Sequence, residues 1–462
     1  MARSQGLRDY LSSPPRGNPS AQSRSDATPR YRFPQPHPGQ VEVMNRRKRF
    51  TYLAAGRRWR KTTLAMSMAG EAAIRGEPIL WGAPTFGQCE IGWREMQRAC
   101  SGAAHFARNR MEVTFPSGGI VIFRSLDDPD NARGLTAGGV VLDEAPLIQE
   151  RAWYEVVRPI ISDTDGWAFL MGTPKGKNFF WRESVNAKNR PDSVAFQAPT
   201  VGVRKSFYGG LERVPHPLEN PFFKFEEAQL LSDTMTEMVF QQEFLAQFVD
   251  SGGGVFRHVT DAPEARFQER GQAGHRYVMG VDWGKYNDFT VLIILDLTTT
   301  RTSVHAPVGG PWDKREMPII EVCYIDRFNQ VDYTVQMGRL LAAYERFAPA
   351  VIVAERNAAG EPLIEVMQRM NLPVWPFTTG NATKALAIDA LALALERGQL
   401  ALPRDEVLMN ELMAYDAERL PSGMMRYAAP EGMHDDVTMA LAMAMWGAAT
   451  IGGRQALKVI WE

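Results

Sequence analysis

Cysteine is nearly absent from this sequence. Only Cys89, Cys100 and Cys323 occur in 462 residues, far from any paired metal-ligand spacing and unable all to pair with one another. That argues against a disulfide framework or a zinc site and for reduced core residues. No run of about 18 uncharged apolar residues is present, and the N-terminus lacks the basic-then-apolar pattern of a signal peptide, so neither a membrane span nor export is indicated and a cytoplasmic protein is expected. An excess of charge is missing too: 52 Lys and Arg stand against 53 Asp and Glu, a net charge of −1. A uniformly basic surface is thereby excluded, but not a polyanionic partner, because a protein that grips and releases a polyanion needs only a local basic patch. There is no internal repeat.

What is present is ordinary globular composition, 45% hydrophobic and 23% charged, over a length that suits two domains. Residues 1–30 are rich in Ser, Pro, Gly and Arg, with five Arg against two Asp, and are expected to be a disordered tail. From Phe50 short apolar runs alternate with helical stretches, the pattern of an α/β domain with a mainly parallel sheet. Strands are expected at Phe50 to Ala55, Ile79 to Ala83, Val140 to Leu142 and Trp167 to Met171, with a hairpin from Val113 to Phe123 around Ser117-Gly118-Gly119. The first domain is placed at 31–250. Ser251-Gly252-Gly253-Gly254 and the polar stretch that follows read as a linker over 251–274. A second α/β pattern occupies 275–462. Its strands are expected at Tyr277 to Val281, Thr290 to Leu297, Ile319 to Ile325, Val351 to Ala354 and Val374 to Phe377, and its helices at about 333–347, 361–370, 383–397 and 435–447. Three strands followed by strand-helix alternation suit a ribonuclease H-like fold, though other α/β folds share the pattern.

Between the first strand and a helix lies Gly56-Arg57-Arg58-Trp59-Arg60-Lys61-Thr62-Thr63. In a phosphate-binding loop, backbone N–H groups and a helix N-terminus cradle the phosphates, Lys61 meets the β and γ groups, and Thr62 holds Mg²⁺. Gly usually stands where this chain has Arg60, and a basic strand-to-helix turn would look the same. Val140-Val141-Leu142-Asp143-Glu144 is an apolar strand ending in two acids. Asp143 suits Mg²⁺ through water and Glu144 suits activation of the attacking water, whereas the bland alternative is a buried strand with a capping acid. Gly172-Thr173-Pro174 ends the next apolar run, where it could couple to the γ-phosphate or be only a turn.

The second domain repeats a different design. Asp282 and Glu355 each end an apolar strand, and His434-Asp435-Asp436 opens a strongly apolar helix. Two-metal phosphodiester cleavage requires converging carboxylates around two Mg²⁺ or Mn²⁺ ions. Singly, each acid is more often a turn former or a helix cap.

Taken together, Gly56-Arg57-Arg58-Trp59, the acidic strand, Gly172-Thr173-Pro174, Gln242-Glu243-Phe244-Leu245-Ala246-Gln247-Phe248 and the ordered acids of the second half resemble the large terminase subunits of tailed double-stranded DNA phages, from about Gln40 to Met445. That resemblance implies an N-terminal P-loop packaging ATPase and a C-terminal ribonuclease H-like nuclease. It implies ATP with Mg²⁺ as substrate, two Mg²⁺ or Mn²⁺ in the nuclease, and double-stranded DNA, the portal protein, a small terminase subunit and a homo-oligomeric ring as partners. The setting it implies is the host cytoplasm, with transient residence at the procapsid portal vertex. By the same resemblance Arg57 matches the arginine of the phosphate loop, Gln40 an adenine-contacting glutamine, and Arg133 in Ala132-Arg133-Gly134-Leu135 a trans-acting arginine finger. Asp282, Glu355 and Asp436 match the principal metal ligands, with Asp435 and Asp288 auxiliary. Lys384 is a candidate for a DNA phosphate or a plain solvated lysine. The alternatives are a helicase- or transposition-type ATPase whose second domain only binds DNA, and a structural docking protein of the portal with a decayed loop, for which Arg60 is the sole support.

Overall fold

The computed structural model describes residues 31–205, 210–249, 254–284, 288–305, 313–357, 360–419, 425–430 and 433–451. The expected tail at 1–30 and the Ser251–Gly253 part of the linker lie outside them. Among the described residues no helix is long and apolar enough to cross a membrane, and the three cysteines are buried and free.

Two sheets organise the chain. The first contains β1 (Phe50–Ala55), β2 (Pro78–Ala83), β3 (His105–Ala107), β4 (Glu112–Thr114), β5 (Ile120–Ser125), β6 (Gly139–Leu142), β7 (Trp167–Gly172) and β8 (Ser193–Ala198), in the order β3-β4-β5-β2-β6-β7-β1-β8. From β5 to β8 every pairing is parallel; β3 and β4 add an antiparallel edge. Parallel strands need helical crossovers, which cover both faces and make the central strands apolar throughout. Accordingly β1 and β6 are buried at every position. Helices α1 (Pro38–Arg46), α2 (Lys61–Ile74) and α3 (Phe86–Cys100) cover one face. A π-turn at Ala152–Val157, running into α4 (Arg158–Ile160), and α5 (Phe179–Asn186) cover the other. A small hairpin of β9 (Val203–Lys205) and β10 (Leu211–Arg213), with α6 (Phe225–Ser232) and α7 (Glu237–Glu243), forms a satellite core.

The second sheet contains β11 (Tyr277–Asp282), β12 (Thr290–Asp296), β15 (Ile320–Phe328), β16 (Val351–Glu355), β17 (Val374–Phe377) and β18 (Leu400–Ala401), in the order β17-β16-β11-β12-β15-β18. The hairpins β13 (Thr300–His305) with β14 (Asp313–Pro318), and β19 (Asp416–Arg419) with β20 (Met425–Ala428), stand apart from it. Helices α8 (Tyr333–Phe347) and α9 (Gly360–Arg369) cover one face. The other carries α10 (Asn381–Glu396), α11 (Glu406–Ala414) and α12 (Asp436–Ile451). Helix α12 is apolar all round because it is enclosed all round. It lies so close to β11 that a Cβ on Gly280 would sit 2.1 Å from the Ala440 carbonyl oxygen.

Every strand and helix named in advance is present, mostly within two residues of its expected ends. The linker is the departure. Val255 N–H donates to Tyr415 O at 3.0 Å, Ala265 N–H to Leu402 O at 2.9 Å and Gln268 N–H to Cys323 O at 2.8 Å, while Phe256, Val259 and Ala262 enter the second core. Polar and glycine residues around these few apolar ones masked a strap that belongs to the second sheet.

Candidate functional site

The first cluster forms at the carboxyl ends of β1, β7 and β6, which are adjacent in that order. Their exits carry the loop 56–60, Thr173 and Asp143-Glu144 to one edge of the sheet. Gly56 is required there, since a Cβ would lie 2.3 Å from Thr200 Oγ1 and 2.7 Å from Phe244 O. The Gly56 carbonyl accepts the Trp59 N–H within the loop, and the carbonyls of residues 57–60 are each met by a side chain from outside it. Thr200 Oγ1 donates to Arg57 O at 2.5 Å, Asn220 Nδ2 to Arg58 O at 2.9 Å and Gln40 Nε2 to Arg60 O at 3.0 Å, and His37 Nε2 lies 3.2 Å from Trp59 O. In a trans peptide the next N–H points opposite to the carbonyl, so the N–H groups of Arg58, Arg60 and Lys61 are turned to the far side. Together with the free N–H groups of the first turn of α2, they form a concavity suited to an anion.

Arg60 adopts φ 68° and ψ 37°, the left-handed conformation that explains why Gly is usual at this position. Its guanidinium lies over the ring of exposed Phe222, 5.8 Å from the centroid. Arg58 is left-handed as well, at φ 68°. Arg57 and Arg58 are exposed, and the Arg57 N–H donates to Glu243 O at 2.5 Å. Gln40 is buried; its Oε1 accepts the His37 N–H at 3.0 Å while its Nε2 holds Arg60.

Lys61, the first residue of α2, reaches both other strand ends. Its Nζ is 3.2 Å from Glu144 Oε1 and donates to Thr173 Oγ1 at 3.1 Å. Thr62 Oγ1 donates to Asp143 Oδ2 at 3.2 Å. Burial, and then the Glu144 charge, push the Asp143 carboxyl up to about 7 against the opposing pull of Lys61 and Thr62. Glu144 takes φ 51° as the chain leaves β6. Gly172 is pressed against Pro146, where a Cβ would meet Cδ at 2.2 Å. Thr63 continues α2, and Pro174 is buried beside Thr173. Lys175 pairs with Glu243, a partnership that no local pattern announces. Arg133 is on the surface, 56% exposed, with Nε 2.5 Å from Asp130 Oδ1.

The second cluster lies at the ends of β11 and β16, which pair in parallel with Val281 opposite Ala354, so Asp282 and Glu355 leave the sheet side by side. Burial first, then the charge of Glu355 and a hydrogen bond shared with it, raise the Asp282 carboxyl well above the usual carboxylate range; Asp436 and Asp435 add to this. At the start of α12, Asp436 is raised chiefly by burial, and its Oδ2 accepts the Phe289 N–H at 3.1 Å. Asp288, His434 and Asp436 offer ligand atoms all within 4.8 Å of one another.

Asp435 is held differently, with Lys384 Nζ at 3.0 Å and Tyr415 OH at 3.3 Å from its Oδ2. Lys384 is thus not a plain solvated lysine: its half-buried ammonium finds a counter-charge in Asp435. His434 stood in the quoted motif without a role, and its ring nitrogen lies 3.6 Å from Asp436. Glu411 and Arg327 were not foreseen. Burial pushes the Glu411 carboxyl up to about 7, with Asp436 adding to the rise and the Thr438 N–H and Arg327 opposing it. The Arg327 guanidinium lies 3.2 Å over the Phe289 ring.

Comparison with known proteins gives a consistent result. The chain is 28% identical over 348 residues to the large terminase subunit of Thermus phage G20c, and equally to that of Thermus virus P23-45. These alignments cover 70% of this chain and 64% of each relative, so the chain spans less than two thirds of their length. A solved large terminase from another thermophilic bacteriophage is similar in fold, with a TM-score of 0.51 at 13% identity over 88% of this chain and 98% of that one. No family model matches the chain.

Proposed function

Because the chain belongs to the large-terminase family of tailed double-stranded DNA phages, we propose that it is a DNA-packaging motor subunit. In this reading it hydrolyses ATP to drive double-stranded DNA through the portal into the procapsid, and it cuts the concatemer by metal-dependent phosphodiester hydrolysis. The division falls near residue 250, between a P-loop ATPase domain and a ribonuclease H-like nuclease domain, the latter including the strap from Val255. The observation that carries the reading is that one chain gathers Lys61, Thr173, Asp143 and Glu144 at one sheet edge, and Asp282, Glu355 and the start of α12 at the other.

In the ATPase, the N–H groups of the loop receive the phosphates, and Lys61 exchanges Glu144 for the β and γ groups. That exchange frees Glu144 to orient the attacking water. Thr62 and Asp143 hold Mg²⁺ of the nucleotide, while Gly172-Thr173-Pro174, in contact with Lys61, registers the exchange and couples it to movement. Gly56, Arg57, Arg58 and Thr63 shape the loop, with Gln40 as its buttress and the remaining N–H of its amide available to the base. Arg133, exposed on the surface and paired there with Asp130, exchanges that partner to serve the site of a neighbour in a ring assembled on the portal with the small subunit. In the nuclease, the donor set fits divalent cations: oxygen ligands converge where burial, and then their own repulsion, raises the Asp282 carboxyl. Asp282, Glu355 and Asp436 would hold the ions, with Asp288 and Asp435 supporting and His434 within reach. Bound Mg²⁺ or Mn²⁺ supplies charge stabilisation and an activated water.

The test is a double dissociation in the full chain. Plasmid cleavage with Mn²⁺, and ATP turnover stimulated by DNA and procapsids, are measured on the unmodified protein and on Asp282→Ala and Glu144→Gln. Each substitution should remove one activity and spare the other. A chain that turns over ATP but cuts no DNA under any divalent cation would sink the nuclease half.

A further inference from the structure

The two acids at the start of α12 do not do what acids in that place ordinarily do. Asp435 is the cap residue, since its carbonyl accepts the Met439 N–H at 2.8 Å. An Asp there normally folds its carboxylate back onto the N–H of the second or third helical residue. Instead its carboxylate meets Lys384 and Tyr415, and that of Asp436 faces Phe289 and His434. The N–H of the third helical residue, Thr438, donates at 2.9 Å to Glu411 Oε2, which comes from α11. Glu411 is 5% exposed, and its Oε1 is buried with no partner. Thr438 is fully buried, so its N–H has no water to turn to. Without Glu411 that N–H would be an unpaired donor in the core, and a carboxylate at the helix start is the group that ordinarily turns onto it.

We propose that Glu411 is a positioning residue of the nuclease site: by capping α12 from a neighbouring helix, it releases Asp435 and Asp436 from capping and leaves Asp436 beside Asp288 and His434, and Asp435 on Lys384 and Tyr415, where both are available to a divalent cation. The inference rests on the nuclease reading above. It explains why a carboxylate is kept in an apolar core within reach of like charges, and why the helix that carries the metal acids has no local side-chain cap.

Direct binding of Mn²⁺ to the full chain, by calorimetry or by the resonance signal of free Mn²⁺, tests it on Glu411→Ala, Glu411→Met and Glu411→Gln, with ATP turnover and melting temperature as controls. Gln retains an oxygen for the Thr438 N–H; Ala and Met do not, and Met preserves the volume should Ala fail to fold. The dissociation constant should rise about 10- to 100-fold in Ala and Met and stay within about threefold in Gln, with ATP turnover unchanged throughout. Unaltered Mn²⁺ affinity in a folded Met variant overturns the proposal. So does a Gln variant as weak as Met, because the charge and not the cap would then matter. An unmodified chain that binds no Mn²⁺ removes the nuclease reading itself, and this inference with it.

Discussion

The two sites are built with opposite polarity. At the edge of the first sheet, main-chain N–H groups, Lys61 and exposed Arg57 and Arg58 surround a place for an anion, and of the two close carboxylates Glu144 already has a lysine and Asp143 a hydroxyl. At the edge of the second, carboxylates surround a place for cations, and burial, with their mutual repulsion added, raises the carboxyls of Asp282 and Asp436. The first site recognises with backbone, the second with side chains. Deleting one side chain should therefore damage the second more completely, because a backbone cradle survives a substitution and a ligand set does not.

The sharpest break is at Asp282. Asp282→Ala should cost more in Mn²⁺-dependent plasmid cutting than the roughly 100-fold that loss of a mere supporting partner costs a metal site, with ATP turnover intact; cutting at the unmodified rate removes Asp282 from the site. Next is Glu144→Gln. It should bind ATP at least as well, since Lys61 loses its competing partner, and hydrolyse it about 10²- to 10⁴-fold more slowly. Arg133→Ala subunits, inactive alone, should regain turnover when mixed into rings with Glu144→Gln subunits. Absence of rescue with assembly verified would place Arg133 in cis or outside the reaction.

A smaller effect is expected at Arg60. Its left-handed conformation costs a side-chain-bearing residue about 1–2 kcal/mol, and its guanidinium is directed to Phe222. Arg60→Gly should therefore tighten nucleotide binding by less than about tenfold, measured by fluorescent-nucleotide titration. A fall in affinity would mean that the guanidinium itself holds phosphate.

The smallest effect is protonic. With its carboxyl at about 7 in the folded chain and near the ordinary value when unfolded, Asp143 favours the folded state while protonated. That contribution is complete below the ordinary carboxylate range and is lost as pH rises through about 7. Mg²⁺-nucleotide needs the carboxylate, so binding at pH 6 should release part of a proton and at pH 9 almost none. Calorimetry in buffers of different ionisation enthalpy reads this, and Asp143→Asn should abolish it.

Strand ends carried most of what was legible in the sequence. An acid or a glycine-initiated loop closing an apolar run marks where a buried parallel strand exits, so Lys61, Asp143, Glu144, Asp282 and Glu355 could be placed from the run alone. Edge strands could not, because β8 alternates burial and β3 is too short to show a period. Nor could partners distant in sequence: Glu243 for Lys175, Asp435 for Lys384, and Glu411 for Thr438 follow from packing, which no local window contains. Gln40 was noticed for its place before the loop, yet its buried amide is occupied in holding Arg60, visible only once α1 meets the residue that precedes α2.

The outward fastening of the loop 56–60 has a further consequence. Free in solution, a loop of about five residues would lose about 5–10 kcal/mol of backbone conformational entropy on being fixed around a ligand. Here residues from four separate stretches, at His37 and Gln40, Thr200, Asn220 and Glu243, fix it as the chain folds. In the proposed reading a nucleotide would arrive at a loop with little disorder left to lose, and the affinity of its phosphates would go into contact instead of into ordering the chain.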